Sequence, residues 1–145
     1  MSTAARTQSP AAEAWSLLQT LMFDVQRPRF ITLCSEFDVT PPQLMTLRRL
    51  DADTPVPTSE VARWLTCDAS NVTGIVDRLE ARGLVERRPD PGDRRVKMLA
   101  LTDEGVALRD EIVRRLAMPP EPLAALPRAD QRALRDILRL AVDRG

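Results

Sequence analysis

Apolar residues recur every three or four positions along most of this chain, which is the spacing of one face of an α-helix. A first apolar stripe covers residues 11–25 and is followed by Pro28, which is expected to kink or interrupt the helix. A second apolar segment covers residues 30–37, and further stripes cover residues 106–116 and 134–141. The chain is therefore predicted to begin and end with long, largely apolar helices.

The strongest helix start in the centre of the chain is the tetrapeptide Thr-Pro-Pro-Gln at residues 40–43. The threonine caps the helix, proline suits its first position, and the glutamine three residues after the cap completes a capping box. A second, short helix through Val61 and Leu65 is expected to be capped by Thr58 or Ser59.

A third central helix follows a tight turn at Thr66 and Cys67. Asp68 is its predicted cap, and Gly83 stands where a left-handed residue commonly ends a helix. The inward-facing positions of this helix are Val72, Ile75, Val76 and Leu79. Three short helices with a tight turn between the last two predict a helix-turn-helix.

A β-hairpin is predicted directly after the third helix, with strands over residues 84–88 and 96–101. The loop between them consists of turn-forming residues and ends in two arginines. The second strand carries apolar residues on both faces, so both are expected to pack against protein. Thr102 is expected to cap the next helix. These elements predict a mainly α, α+β fold.

Net charge is zero, with 21 basic and 21 acidic residues, so the chain as a whole is not a polycation. Residues 78–97 nevertheless hold seven basic side chains against four acidic ones. Any attraction to nucleic-acid phosphate is therefore expected to be focused on this segment.

If the third helix enters a DNA major groove, its early outward-facing residues meet base edges. These candidates are Ser70, Asn71, Thr73 and Gly74, with Asp77 and Arg78 one turn further on. Asparagine can pair bidentately with adenine, and threonine can offer its hydroxyl or methyl group to a base. A solvated polar helix face explains the same residues when the helix is taken alone. The arginine loop that follows shifts the interpretation toward DNA.

Three residues at the hairpin tip are candidates for a second DNA contact: Asp93, Arg94 and Arg95. An arginine here can enter a narrow, A·T-rich minor groove, where the negative potential is strongest. Asp93 is a candidate to hold one guanidinium through a bidentate pair. The alternative is an ordinary charged loop, but the helix beside it favours DNA contact.

Histidine-dependent catalytic triads and histidine metal sites are excluded by residues that the sequence lacks, and the carboxylate pairs that it does have lie on charge-mixed helices, where a solvated surface is the favoured interpretation. It has no histidine, no glycine-rich phosphate loop, and two cysteines, Cys34 and Cys67, that fit no metal-ligand spacing. We therefore expect no enzyme, no metal and no cofactor. Because no apolar run is long enough to span a bilayer and the first residues lack a signal-peptide core, we expect a cytoplasmic protein without membrane association.

The apolar stripes at the two ends of the chain leave two arrangements open. A monomer could fold them back on itself, or the stripes of two chains could pair in a shared helical layer. Dimerisation is favoured because the central helices and hairpin already close a small core.

Together these features are similar to those of the MarR family, the winged helix-turn-helix transcription regulators of bacteria. The matching segments are TPPQ, TSEVARWL, VTGIVDRLEARGLVERRPDPGDRR and VKMLALTDEG. The resemblance is clear over residues 39–105 and softer, but consistent, in the helices on either side.

The resemblance implies a homodimer that binds a pseudo-palindromic operator in double-stranded DNA, usually as a repressor. It implies N-terminal dimerisation helices at residues 1–38, a winged helix-turn-helix at 39–102 and C-terminal dimerisation helices at 103–145, all in one structural unit. The family's wing arginine corresponds to Arg95, with Asp93 as its partner.

The resemblance also implies release from DNA by a small phenolic or aromatic ligand. Other members respond to cysteine oxidation, but Cys34 and Cys67 are interpreted here as small core residues. Many members carry a basic residue where this chain has Gly74, which leaves the operator sequence open. The alternative function is a winged-helix protein-interaction module without sequence-specific DNA binding.

Overall fold

The structure, a computed structural model, describes residues 9–66 and 69–144 of the chain. In chain order its elements are α1 (Pro10–Thr20), a π-helical turn (Leu21–Gln26), α2 (Arg27–Glu36), α3 (Pro41–Arg49), β1 (Val56–Pro57), α4 (Thr58–Leu65), α5 (Ala69–Ala81), β2 (Val85–Pro89), β3 (Lys97–Leu101), α6 (Asp103–Ala117), α7 (Glu121–Ala124) and α8 (Arg128–Val142). The prediction of a mainly α fold with a small antiparallel sheet is confirmed.

The chain divides into two compact units, residues 27–116 and residues 9–26 with 117–144. The first unit contains the helix-turn-helix and the sheet, and also holds α2 and most of α6. The predicted boundaries at residues 38 and 102 describe functional segments rather than these packing units, and they stay a prediction.

The core of the unit at residues 27–116 lies where α3, α4, α5 and α6 meet the sheet. The apolar side chains with no exposed surface are Leu44, Leu47, Leu50, Val61, Val76, Leu79, Leu99 and Ile112. The predicted capping box starts α3: the Thr40 N–H donates to Gln43 Oε1 at 2.9 Å, and the Gln43 N–H donates to Thr40 Oγ1 at 3.4 Å. Short-range sequence signals therefore set the first helix of the helix-turn-helix.

The sheet has the order β1-β3-β2, with both pairs antiparallel. Its central strand β3 is covered on both faces, since Leu99, Ala100 and Leu101 are all buried, as predicted. Strands β2 and β3 each begin one residue later than predicted. We refer to β2, β3 and the loop between them, residues 85–101, as the wing.

The start of α4 differs from the prediction. Neither Thr58 nor Ser59 caps this helix; its cap is Pro57, which makes no side-chain hydrogen bond. The reason is that Val56 and Pro57 form β1 and pair with β3, so the helix begins as soon as the strand ends. The fixed φ of proline is compatible with the extended conformation before a helix, here φ −60° and ψ 143°.

Two other helix ends match their predicted signals. Gly83, just after α5, has φ 70°, in the left-handed region that glycine occupies at little cost. Thr102 caps α6, because its Oγ1 accepts the Gly105 N–H at 3.0 Å. The predicted cap Asp68 lies outside the described residues.

In the unit at residues 9–26 with 117–144, Ser9 caps α1 by accepting the Ala12 N–H at 3.2 Å. The expected interruption of the first helix is confirmed, since the π-helical turn ends two residues before Pro28. Proline has no N–H and its ring crowds the carbonyl four residues earlier, so the preceding turn widens. Helix α7 was not predicted.

The helices of this second unit bury none of their described residues. The exposed large apolar side chains of this unit are Trp15, Leu17, Met22, Phe23, Met118, Ile137, Leu138, Leu140 and Val142. In the described parts of the chain, no helix combines the length and apolar character needed to cross a membrane.

Candidate nucleic-acid interface

Helix α5 has one buried and one exposed face, as its pattern predicts. Val72, Val76 and Leu79 are buried against the core. The candidate DNA contacts Asn71, Thr73, Gly74 and Arg78 are all exposed. The backbone of the remaining candidate, Ser70, lies in the first turn of α5, but its side chain is outside what the structure describes.

The turn that leads from α4 to α5 begins with Thr66 in a left-handed conformation, φ 51°. Arg49 of α3 reaches the end of α4, where its Nη1 donates to the Trp64 carbonyl at 3.1 Å. A guanidinium at this position satisfies a carbonyl that has no partner within the helix and opposes the negative end of the helix dipole. Arg49 therefore links α3 to the end of α4, a contact that the sequence did not reveal.

Gly74 leaves an open position on the exposed face of α5. A Cβ built at this residue meets no atom within 4 Å. The absence of a side chain is therefore not forced by packing. It leaves a gap between Asn71 and Arg78, which a DNA backbone or base could approach closely.

The wing tip is held by backbone hydrogen bonds. The Asp90 N–H donates to the Val96 carbonyl and the Val96 N–H donates to the Asp93 carbonyl, both at 3.0 Å. Asp93 Oδ1 accepts the backbone N–H of Arg95, also at 3.0 Å. This bond turns the chain locally, as aspartate commonly does, and leaves Arg94 and Arg95 exposed at the tip.

The expected pair between Asp93 and a guanidinium is not formed within residues 9–66 and 69–144. The carboxylate instead accepts a hydrogen bond from the backbone N–H two residues later, because an aspartate side chain reaches that N–H with little loss of conformational freedom. Asp93 thus shapes the tip without neutralising its arginines.

The basic residues of segment 78–97 fall into two groups. Arg82, Arg87 and Arg88 are engaged by protein: Arg82 donates to the carbonyls of Phe37 and Asp38, Arg87 pairs with Asp77 and Glu80, and Arg88 pairs with Glu86. Among the described residues, Arg78, Arg94, Arg95 and Lys97 form neither an ion pair nor a hydrogen bond of this kind. The basic side chains of the segment that other described protein groups do not engage therefore lie on α5 and near the wing tip.

Cys34 is a core residue, as interpreted from the sequence. It is buried in α2, and burial raises the pKa of its thiol, although a hydrogen bond to its own backbone opposes the shift. A thiol held protonated is a poor nucleophile. Cys67 lies outside the described residues. Within the described ranges, no cluster of acidic or cysteine side chains has the arrangement of a metal site.

The family model named "MarR family" matches residues 39–97. Over 71 residues the chain is 41% identical to the transcriptional repressor NicR of Pseudomonas putida, covering 49% of this chain and 45% of NicR. The chain spans about half the length of the curated relatives that it matches.

Solved structures match over most of their length. The YusO protein of Bacillus subtilis superposes with a TM-score of 0.73 at 28% identity, covering 93% of this chain and 96% of YusO. The transcriptional repressor CouR, solved with a 23-mer DNA duplex, gives a TM-score of 0.61 at 30% identity and covers 89% of both chains. With the fold shared to this extent and the helix-turn-helix and wing matched by the family model, this chain belongs to the MarR family of winged helix-turn-helix regulators.

Proposed function

We propose that this protein is a transcriptional repressor that binds a pseudo-palindromic operator as a homodimer and is released by a small aromatic or phenolic ligand. The observation that carries the proposal is the pairing of an exposed polar face on α5 with two exposed arginines at the tip of the wing that form no ion pair in the part of the chain that the structure describes. Both features belong to the compact unit at residues 27–116.

In this proposal α5 enters the major groove and presents Ser70, Asn71, Thr73 and Arg78 to the bases and adjacent phosphates. The wing then reaches the neighbouring minor groove with Arg94 and Arg95. The zero net charge is compatible with this mode of binding, because Arg78, Arg94 and Arg95, which lie where the phosphates would be, form no ion pair among the described residues.

Dimerisation is supported by the apolar surface of the unit at residues 9–26 with 117–144. Trp15, Ile137 and Leu140 are each about 60% exposed. Helices α7 and α8 also line an open, mostly apolar cavity of about 500 Å³. Soluble monomers rarely leave large apolar surfaces exposed to solvent. We therefore propose that a second copy of the chain packs against this surface.

A ligand-binding role is supported by a cavity of about 260 Å³ beside α5. Its apolar lining residues are Ala62, Val72 and Val76, its hydroxyl-bearing ones are Thr58, Ser59 and Thr73, and two cations, Arg87 and Lys97, complete it. Because the guanidinium of Arg87 already pairs with Asp77 and Glu80, Lys97 is the proposed partner for a small aromatic ring that bears a carboxylate or phenolate. Occupation of a cavity that touches both α5 and β3 would alter the surface offered to DNA.

The proposed operator binding predicts a salt-sensitive preference for specific DNA. Fluorescence anisotropy would compare fragments of the protein's own promoter region with scrambled fragments of equal length at two salt concentrations. We expect tighter binding to the promoter, with affinity that falls as salt rises because bound counterions are released. Equal, weak binding to both sets would instead favour the protein-interaction module.

The proposed dimer predicts a solution mass of twice 16.2 kDa by light scattering. Replacing Ile137 and Leu140 together by glutamate should yield monomers, because four carboxylates would have to be buried in each two-fold interface. The Arg132→Glu variant is the control, since it changes the charge of α8 by the same two units at a polar position. A wild-type monomer at micromolar concentration would contradict the dimer.

A further inference from the structure

One arginine of the wing is directed into the protein rather than toward solvent. Arg87 of β2 places its Nη2 2.5 Å from Asp77 Oδ1 and its Nη1 2.9 Å from Glu80 Oε1. Its side chain is 24% exposed, against 58% for Asp77 and 42% for Glu80. Asp77 and Glu80 are one turn apart on α5, so both face the same strand.

The backbone of Arg87 takes part in the same cluster. Its N–H donates to Glu80 Oε2 at 3.0 Å, while the other carboxylate oxygen of Glu80 accepts from the guanidinium. Strand β2 is an edge strand, since β3 is its only neighbour in the described sheet. Glu80 therefore satisfies an edge N–H that β3 does not reach. Arg87 is tied to α5 by three hydrogen bonds, two to Glu80 and one to Asp77.

The charges in this cluster matter for any anion that approaches α5. Burial of the guanidinium acts to lower the pKa of Arg87, but hydrogen bonding to Asp77 and the charges of Asp77 and Glu80 outweigh it and raise the pKa above its ordinary value. Arg87 thus stays charged. Without it, two carboxylates would stand uncompensated on the helix that carries Asn71 and Arg78, and they would repel DNA phosphates.

We infer that Arg87 is a positioning residue that fixes the wing against α5 and neutralises Asp77 and Glu80, without itself contacting DNA phosphate. The inference rests on the proposed operator binding. The inference distinguishes two kinds of wing arginine. Arg94 and Arg95 form no ion pair among the described residues and can bind DNA, whereas the guanidinium of Arg87 already binds two carboxylates.

The test measures operator affinity across a salt series for the Arg87→Met dimer. We expect affinity to fall roughly tenfold, as for the loss of a coupled charge cluster, while the slope of log affinity against log salt is unchanged. The control is Arg114→Met on α6, which removes the same charge from a surface pair with Glu111 and should leave affinity unaltered. Thermal unfolding confirms that each variant is folded.

A rescue experiment separates neutralisation from DNA contact. In a chain that already carries Asp77→Asn and Glu80→Gln, the Arg87→Met change should cost less than about threefold in affinity, since no carboxylates remain to be neutralised. A slope reduced by about 0.9 would make Arg87 a phosphate contact and overturn the inference. A full tenfold loss in the rescued background, or no loss in the first variant, would overturn it as well.

Amide hydrogen exchange without DNA tests the positioning role independently of operator binding. Arg87→Met should accelerate exchange in β2 about tenfold relative to Arg114→Met, because the edge strand loses both guanidinium bonds to α5 and keeps only the backbone bond to Glu80. Unchanged exchange would refute the positioning role. If the wild-type protein binds none of the DNA fragments, operator binding fails as a function, while the exchange result still decides what Arg87 does in the fold.

Discussion

Replacing Arg94 and Arg95 together by alanine should weaken operator binding roughly 100-fold, since a hydrogen bond to a charged group contributes about 1.5 kcal/mol or more. The same variant should flatten the salt dependence, with the log–log slope reduced by up to about 1.8 if both side chains contact phosphate. The protein should keep its thermal stability, because neither side chain forms an ion pair within the described residues.

This expectation follows from the construction of the tip. Asp93 accepts a hydrogen bond from the backbone N–H of Arg95, so it orders the turn without forming an ion pair with either guanidinium group among the described residues. Both arginines are exposed and follow a turn that contains Pro91 and Gly92 and is held by backbone hydrogen bonds. A preorganised, exposed cation loses little conformational freedom on binding and is suited to a narrow minor groove.

The matched control removes two arginines elsewhere, Arg114 on α6 and Arg132 on α8, and leaves the net charge equal to that of the wing variant. If loss of charge alone governs binding, both double variants weaken it alike. If the wing inserts into DNA, only the Arg94 and Arg95 variant changes the slope. If the variant that lacks Arg94 and Arg95 kept both its affinity and its slope, the wing would not be part of the DNA interface.

The sequence predicted the elements whose signals are local. The capping box at residues 40–43, the left-handed Gly83 and the Thr102 cap each depend on residues within one turn of one another, and all three occur in the structure. The buried face of α5 follows from helical spacing alone. These signals were sufficient to place a recognition helix before a hairpin.

The features that the sequence did not reveal depend on residues far apart in the chain. Strand β1 has two residues, one of them proline, and exists only through its pairing with β3. Arg49 reaches Trp64, and Arg87 meets Asp77 and Glu80, only after the elements have packed. The count of basic residues in segment 78–97 grouped Arg87 with the arginines expected to face DNA, because a count cannot show which guanidinium already binds carboxylates.

Replacing Gly105 by alanine should destabilise the protein by about 3 kcal/mol, in the range of severe overpacking. A Cβ at this position would lie 1.8 Å from the Leu84 carbonyl oxygen, 2.9 Å from its carbon and 3.1 Å from Leu101 Cδ2. The carbonyl cannot withdraw easily, because it also accepts the Thr102 N–H at 3.1 Å. Helix α6 must therefore shift, and chemical denaturation would measure the loss.

The same change should weaken DNA binding at temperatures where the variant remains folded. Leu84 immediately precedes β2 and Leu101 ends β3, so a displaced α6 disturbs the base of the wing. For the stability measurement, Gly74→Ala is the matched control: it is also a helical glycine, but its Cβ meets nothing within 4 Å, and the higher helix propensity of alanine should stabilise α5 by about 1 kcal/mol. If the free energy of unfolding falls in the Gly105 variant and rises in the Gly74 variant, close backbone approach is the reason for glycine at 105. Equal changes in the two variants would show that helix propensity alone governs both sites.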